Sequence, residues 1–167
     1  MVIKFIYVFI FVLFSAIDDY KNSKVSNKLV LLTIIFGLII NVYLNKFDGL
    51  LFSLKGIVIP FVMLYIFFIM NLVPAGDIKL FMAIGGVIGI KYTIDIMIMS
   101  VMIGGIYSLI LILKNKNSYS INKIFIYFKS CIINLKLLKY DAETSIRFPF
   151  VPLVFVSYLI FIFQKIW

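Results

Sequence analysis

Apolar residues run along this chain in long blocks, broken by short clusters of charged and polar residues. A helix that crosses a bilayer needs about 20 predominantly apolar residues. Six blocks approach that length: 1 to about 17, about 28–45, near 50–73, 78 to about 93, 96–113 and about 148–164. The first is free of charge from Phe5 onward, and the fifth runs for eighteen residues without one. The pattern predicts an all-α integral membrane protein, a six-helix transmembrane bundle in one domain spanning 1–167. The first block also has the outline of a signal peptide, with Lys4 ahead of an apolar stretch. No small-x-small cleavage site follows it, and the acidic pair Asp18–Asp19 comes directly after.

Between the fifth and sixth blocks lies a segment, 114–147, that is rich in bases. Its middle, 121–139, is apolar but interrupted by Lys123, Lys129 and Lys136. This pattern predicts a basic cytoplasmic loop with an interfacial helix lying on the membrane surface. The rival, a seventh span, puts Lys129 near mid-membrane, where a charge is costly.

Composition agrees. Hydrophobic residues make up 64% of the chain and charged residues 14%, and the mean hydropathy is +1.17. An ordinary soluble domain is roughly half apolar and about a quarter charged. The net charge of +9 does not point to nucleic acid, because the bases fall between apolar blocks rather than along one accessible stripe. They report orientation instead. With six spans, the odd-numbered connections share one side and carry Lys21, Lys24, Lys28, Lys79 and the seven bases of 114–147, eleven in all. The other side, with both termini, carries five: Lys4, Lys46, Lys55, Lys91 and Lys165. The excess places the odd connections in the cytoplasm and the chain in the cytoplasmic membrane as a multi-pass protein.

Two absences narrow the chemistry. The chain has no histidine and a single cysteine, Cys131, so His-based catalysis, His metal ligation and CxxC metal clamps are excluded. The acids are Asp18, Asp19, Asp48, Asp77, Asp95, Asp141 and Glu143. Asp18 and Asp19 end the first block, and Asp77 opens the fourth, so all three fall on the cytoplasmic side at similar depth. Asp48 and Asp95 belong to the opposite connections. Two carboxylates from different helices at one depth can form an aspartyl dyad that needs no metal or other cofactor. One, ionised, takes a proton from water; the other, protonated, donates to the scissile carbonyl. Close like charges cannot both ionise cheaply, so the pair retains a shared proton.

Around Asp77 the chain reads Val73-Pro74-Ala75-Gly76-Asp77-Ile78-Lys79-Leu80, followed by Gly85, Gly86 and Gly89. A bland reading is available: a helix-capping Asp, a snorkelling Lys79 and small packing residues. However, Gly76-Asp77-Ile78-Lys79-Leu80 followed by Gly85 resembles the GxGD motif of the type 4 prepilin peptidase family, roughly G-x-G-D-x-K-L. That family's other aspartate comes from a segment similar to A-x-x-D-x6-P-N. Here Ala16 stands three residues before Asp19, and Asn27 eight after it, a register that selects Asp19 over Asp18. Arg147-Phe148-Pro149-Phe150-Val151-Pro152 resembles the start of the family's last helix. Pro74 departs from the first motif glycine, and Ser26 from the motif proline.

The resemblance implies an aspartic endopeptidase with Asp19 and Asp77 as its catalytic pair. Gly76 would support the motif by allowing backbone approach, and Lys79 by anchoring at the membrane edge or biasing the nearby charge. Asn27 marks the register. The partner implied is a prepilin-like precursor with a basic leader and an apolar helix, cleaved at the cytoplasmic face. Gly85, Gly86 and Gly89 offer a small-residue stripe against which that helix could pack. The cysteine-containing region of bifunctional members is not seen, so methyltransferase activity is not implied and the chain looks like a short, peptidase-only form. The alternative is a non-enzymatic membrane scaffold or cation-conducting component, with Asp19 and Asp77 lining a polar crevice. Neither reading fixes an oligomeric state.

The base asymmetry is testable with single cysteines at positions 45, 117 and 164 in a Cys131→Ser background. A membrane-impermeant thiol reagent applied to intact cells is expected to label 45 and 164 and to spare 117. Labelling at 117 inverts the orientation.

Overall fold

A computed structural model of the chain describes residues 2–22, 25–70, 73–114 and 150–166. Its helices are α1 (Val2–Asn22), α2 (Asn27–Ile69), α3 (Ala75–Ile88), α4 (Ile90–Lys114) and α5 (Val151–Ile166). The expected interfacial helix at 121–139, together with Asp141, Glu143 and Arg147, lies outside the described residues. Large apolar side chains such as Ile10, Phe14, Leu31, Val62, Met102 and Phe163 are exposed on four of the helices, a surface suited to lipid rather than water.

The fold is all-α, as expected, but it is not six separate spans. The second and third blocks belong to one element, α2, because the reversal between them takes just two residues. Asn45 (φ −132°, ψ 17°) and Lys46 (φ 47°, ψ −123°) leave helical geometry, and the limbs 27–44 and 47–69 fold back on each other. Asp48 therefore sits in the first turn of the second limb rather than in a connection. The fourth block also ends early. Gly89 turns the chain in one residue with φ +84°, a conformation that suits glycine, so α4 begins at Ile90 and takes in Asp95. With 14 residues, α3 is about 21 Å long at 1.5 Å per residue, shorter than a hydrocarbon core of about 30 Å. Among the described residues two helices are long and apolar enough to cross a membrane by themselves, Asn27–Ile69 and Ile90–Ile110.

The α2 hairpin holds α3 through backbone contact. A Cβ on Gly85 would collide with the Gly56 carbonyl oxygen, and one on Gly37 would stand 2.6 Å from that of Gly86. Where both partners are lipid-compatible, water gives no drive for helices to associate, and close approach of small residues becomes the main source of cohesion. A buried polar cluster reinforces the seam. Asn41 Nδ2 donates to Ser53 Oγ at 2.8 Å and to the Gly86 carbonyl at 3.0 Å, and Ser53 Oγ donates to the same carbonyl at 2.9 Å. Lys4 Nζ donates to Asn41 Oδ1, tying α1 to the hairpin. Membrane-buried interhelical hydrogen bonds contribute roughly 0.6–2 kcal/mol each.

The last helix is fastened to α1. Tyr158 is fully buried, and its hydroxyl donates to the Phe5 carbonyl at 2.8 Å. Phe5, Tyr92 and Phe161 form an aromatic cluster joining α1, α4 and α5, with ring centroids 5.6–6.2 Å apart.

The seam generates a contrast between glycines. Gly85→Val must separate α3 from α2 and is expected to lower thermal stability in detergent by about 1–3 kcal/mol or more. Gly105, in α4, has nothing within 4 Å of an added Cβ, so Gly105→Ala should be neutral or stabilising by up to about 1 kcal/mol. Equal melting temperatures for the two variants would remove the seam from its structural role.

Candidate active site

Helix α1 runs five residues past the end of its uncharged stretch, which puts Asp19 in its last turns. Asp77 is the third residue of α3, with Pro74 as the N-cap and the Asp77 N–H donating to the Pro74 carbonyl at 3.2 Å. The two aspartates come from different helices, α1 and α3, and lie close enough for the charge of Asp19 to act on Asp77. Both are buried, with 9% of Asp19 and 7% of Asp77 exposed. Asp18 is half-buried. The register inferred from Asn27 therefore agrees with burial: of the acidic pair, Asp19 is the one turned inward.

Each carboxyl has a distinct environment. Both stand outside the apolar stretches, Asp19 beyond Ile17 and Asp77 before Ile78. Burial raises the Asp19 carboxyl above the usual carboxylate range, and a hydrogen bond from the Val151 backbone pulls it partly back. That bond, Val151 N–H to Asp19 Oδ2, is 3.2 Å long. Val151 opens α5, and its N–H is one of the donors that a helix start leaves without an intrahelical partner. Among the described residues no such donor reaches the Asp77 carboxyl; burial first, and the Asp19 charge second, push it up to about 7. The arrangement favours a proton on Asp77 and an ionised Asp19.

Asn27 and Lys79 are also brought together. Lys79 Nζ donates to Asn27 Oδ1 at 2.9 Å, linking the first turn of α3 to the start of α2. Lys79 is exposed, so the membrane-edge role fits it better than a role in biasing buried charge. The two departures from the family pattern occupy helix N-caps. Ser26 has φ −63° and ψ 122°, and Pro74 has φ −71° and ψ 152°. The Ser26 backbone is one that proline would adopt unchanged, and the Pro74 position needs no glycine conformation.

At Gly76 an added Cβ would meet Val25 Cγ2 at 4.0 Å, an ordinary contact. One expectation requires correction. Gly85, Gly86 and Gly89 were expected to receive another molecule's helix; α2 already fills that space, with Gly56 against Gly85, Ile57 and Gly37 against Gly86, and Phe52 against Gly89.

Two features escaped the sequence reading. One is the Val151 N–H, for which the signal available was Pro152, a proline in the first turn that marks a helix start. The other is Ser15, fully buried one turn before Asp19, whose Oγ has no hydrogen-bond partner among the described residues; its spacing of four residues from Asp19 was the available cue.

An all-helical membrane protein with a pair of buried aspartates at one end of its bundle is thus defined by its own geometry. The chain belongs to the type IV leader peptidase family, whose pattern matches residues 6–109, a stretch that contains both aspartates. No curated protein and no solved structure matches it. Membership makes the chain a peptidase of the prepilin leader type in general terms. Helix α5, which supplies the Asp19 hydrogen bond, lies beyond the matched stretch.

The electrostatic contact predicts a titration. Carbon-13 observation of the labelled Asp77 carboxyl in detergent should give a midpoint near 7. In Asp19→Asn the midpoint should fall, because loss of the neighbouring negative charge makes ionisation of Asp77 easier. A midpoint unmoved by Asp19→Asn would show that the two carboxyls do not interact.

Proposed function

We propose that this protein is an aspartic endopeptidase of the cytoplasmic membrane that removes the basic leader from prepilin-like precursors at the cytoplasmic face. The observation that carries the reading is the burial of Asp19 and Asp77 together, within the stretch that matches the leader peptidase family. Asp19, held by the Val151 N–H, is the general base and takes a proton from the attacking water. Asp77 is the general acid and donates to the scissile carbonyl oxygen. As the tetrahedral intermediate collapses, the C–N bond breaks and the leaving nitrogen takes up a proton from the pair. The products are the leader with a new carboxylate and the mature protein with a new amine.

The location suits the substrate. A precursor carries its basic leader in the cytoplasm and its apolar helix in the bilayer, so the bond to be cut lies at the membrane edge. The excess of bases in the odd-numbered connections supports a cytoplasmic position for the aspartates. No methyl transfer is part of this reading.

General acid and base contributions are typically 10²–10⁴-fold each. Asp19→Asn and Asp77→Asn are therefore each expected to lower cleavage by at least about a hundredfold, with the protein still present in the membrane. Asp18→Asn should retain most activity. Immunoblots of precursor and mature substrate in cells carrying each variant test this. Cleavage by both single variants at 19 and 77 would remove the dyad; an inactive Asp18→Asn beside an active Asp19→Asn would shift the register by one residue.

A further inference from the structure

On the α1 side of the aspartate pair there is a groove of about 300 Å³ lined by Leu13, Ala16, Ile17, Tyr20, Pro152 and Phe155. Its volume is at the small end for ligand pockets, room for one or two side chains rather than a helix. Its walls are apolar, and it lies between α1 and α5. It neighbours the site along the chain: Tyr20 follows Asp19 directly, Ala16 stands nearly one turn before it, and Pro152 follows the Val151 that donates to Asp19. Ile17 and Tyr20 are exposed, so the groove opens outward.

The geometry points to this groove as the subsite that seats an apolar side chain from the first turns of the precursor's helix, just beyond the scissile bond. The inference rests on the leader peptidase reading and says where that substrate is gripped. A precursor with its leader in water and its helix in lipid presents apolar side chains at the depth of Asp19. A side chain seated between Ala16 and Pro152 fixes the chain on the side of Asp19 away from the bundle interior. It also makes α5 a specificity element: one helix end then both holds the base and forms half of the groove. Phe155 shapes the far wall, packed on Phe9 with ring centroids 5.6 Å apart.

A synthetic precursor with a basic leader joined to an apolar helix serves as the probe. A photo-cross-linking residue at position 17, in an Asp77→Asn background that retains uncut precursor, is expected to capture it. The same residue at position 31, exposed on α2, is expected not to. In the otherwise native chain, Phe155→Trp narrows the groove and should raise KM for this precursor about tenfold with kcat little changed, the scale on which apolar pockets discriminate. Cross-linking from 31 rather than 17, by a chain whose native form cuts the precursor, overturns the groove and leaves the dyad standing. Unchanged KM in a folded Phe155→Trp protein also overturns it. Continued cleavage by both Asp→Asn variants removes the peptidase reading itself, whatever the cross-links show.

Discussion

Backbone contact between α3 and the α2 hairpin is the constraint from which the rest of the molecule follows. Gly56 meets Gly85, and Gly37 meets Gly86, with no side chain between them. A protein whose outer surface is apolar gains little by burying more apolar area, because lipid serves that area equally well. Its cohesion has to come from close packing and from hydrogen bonds made away from water. The Asn41–Ser53 cluster supplies the second, since its donors reach carbonyls on α3 that close approach has brought within range. Breaking the seam would leave those groups buried and unpaired, at a cost of about 1–3 kcal/mol each.

The seam acts at one end of α3, and its result appears at the other. With Gly85 and Gly86 held against α2, the first turn of a helix only 14 residues long has little freedom. Lys79 fixes that turn further through Asn27, and Asp77 is left within reach of the Asp19 charge. Lys4 does the corresponding work for α1, because its bond to Asn41 joins the far end of α1 to the same cluster. Two acids distant in sequence are thus positioned partly by contacts that involve neither of them.

Much of this was legible from sequence, and the parts that were not have physical reasons. The apolar blocks announced helices, since only a closed hydrogen-bond ladder survives in lipid. The Asp19 register and the Asn27 and Lys79 positions were implied by the resemblance to the family's motifs, and Asn27 and Lys79 turn out to bond each other. Apolar blocks do not reveal how a chain turns between them. The reversal at Asn45–Lys46 was hidden because Lys46 takes a positive φ that its residue type does not advertise. Gly89 was read as a packing residue when it is the corner, which misplaced the start of α4 and with it Asp95. The Val151 contact uses a backbone N–H, and a backbone donor leaves no trace in residue identity. The glycine stripe was recognised as a surface for close approach, but sequence cannot say whether the approaching helix belongs to the same chain.

The family pattern ends at residue 109, and α5 begins at Val151, so the acids and their support come from different parts of the chain. Two neighbouring carboxyls out of water will share one proton, but proximity alone does not decide which holds it. A donor placed on one of them does. The Val151 N–H favours the ionised form of Asp19, and the resulting charge then raises the cost of ionising Asp77. On the proposed reading, this asymmetry makes a base and an acid out of two identical side chains before any substrate arrives. The cost of burying a helix start is met by the same bond, because the N–H that would otherwise be left without a partner is the one that Asp19 accepts. A fold requirement and a chemical requirement thus converge on a single hydrogen bond at the junction of α1 and α5.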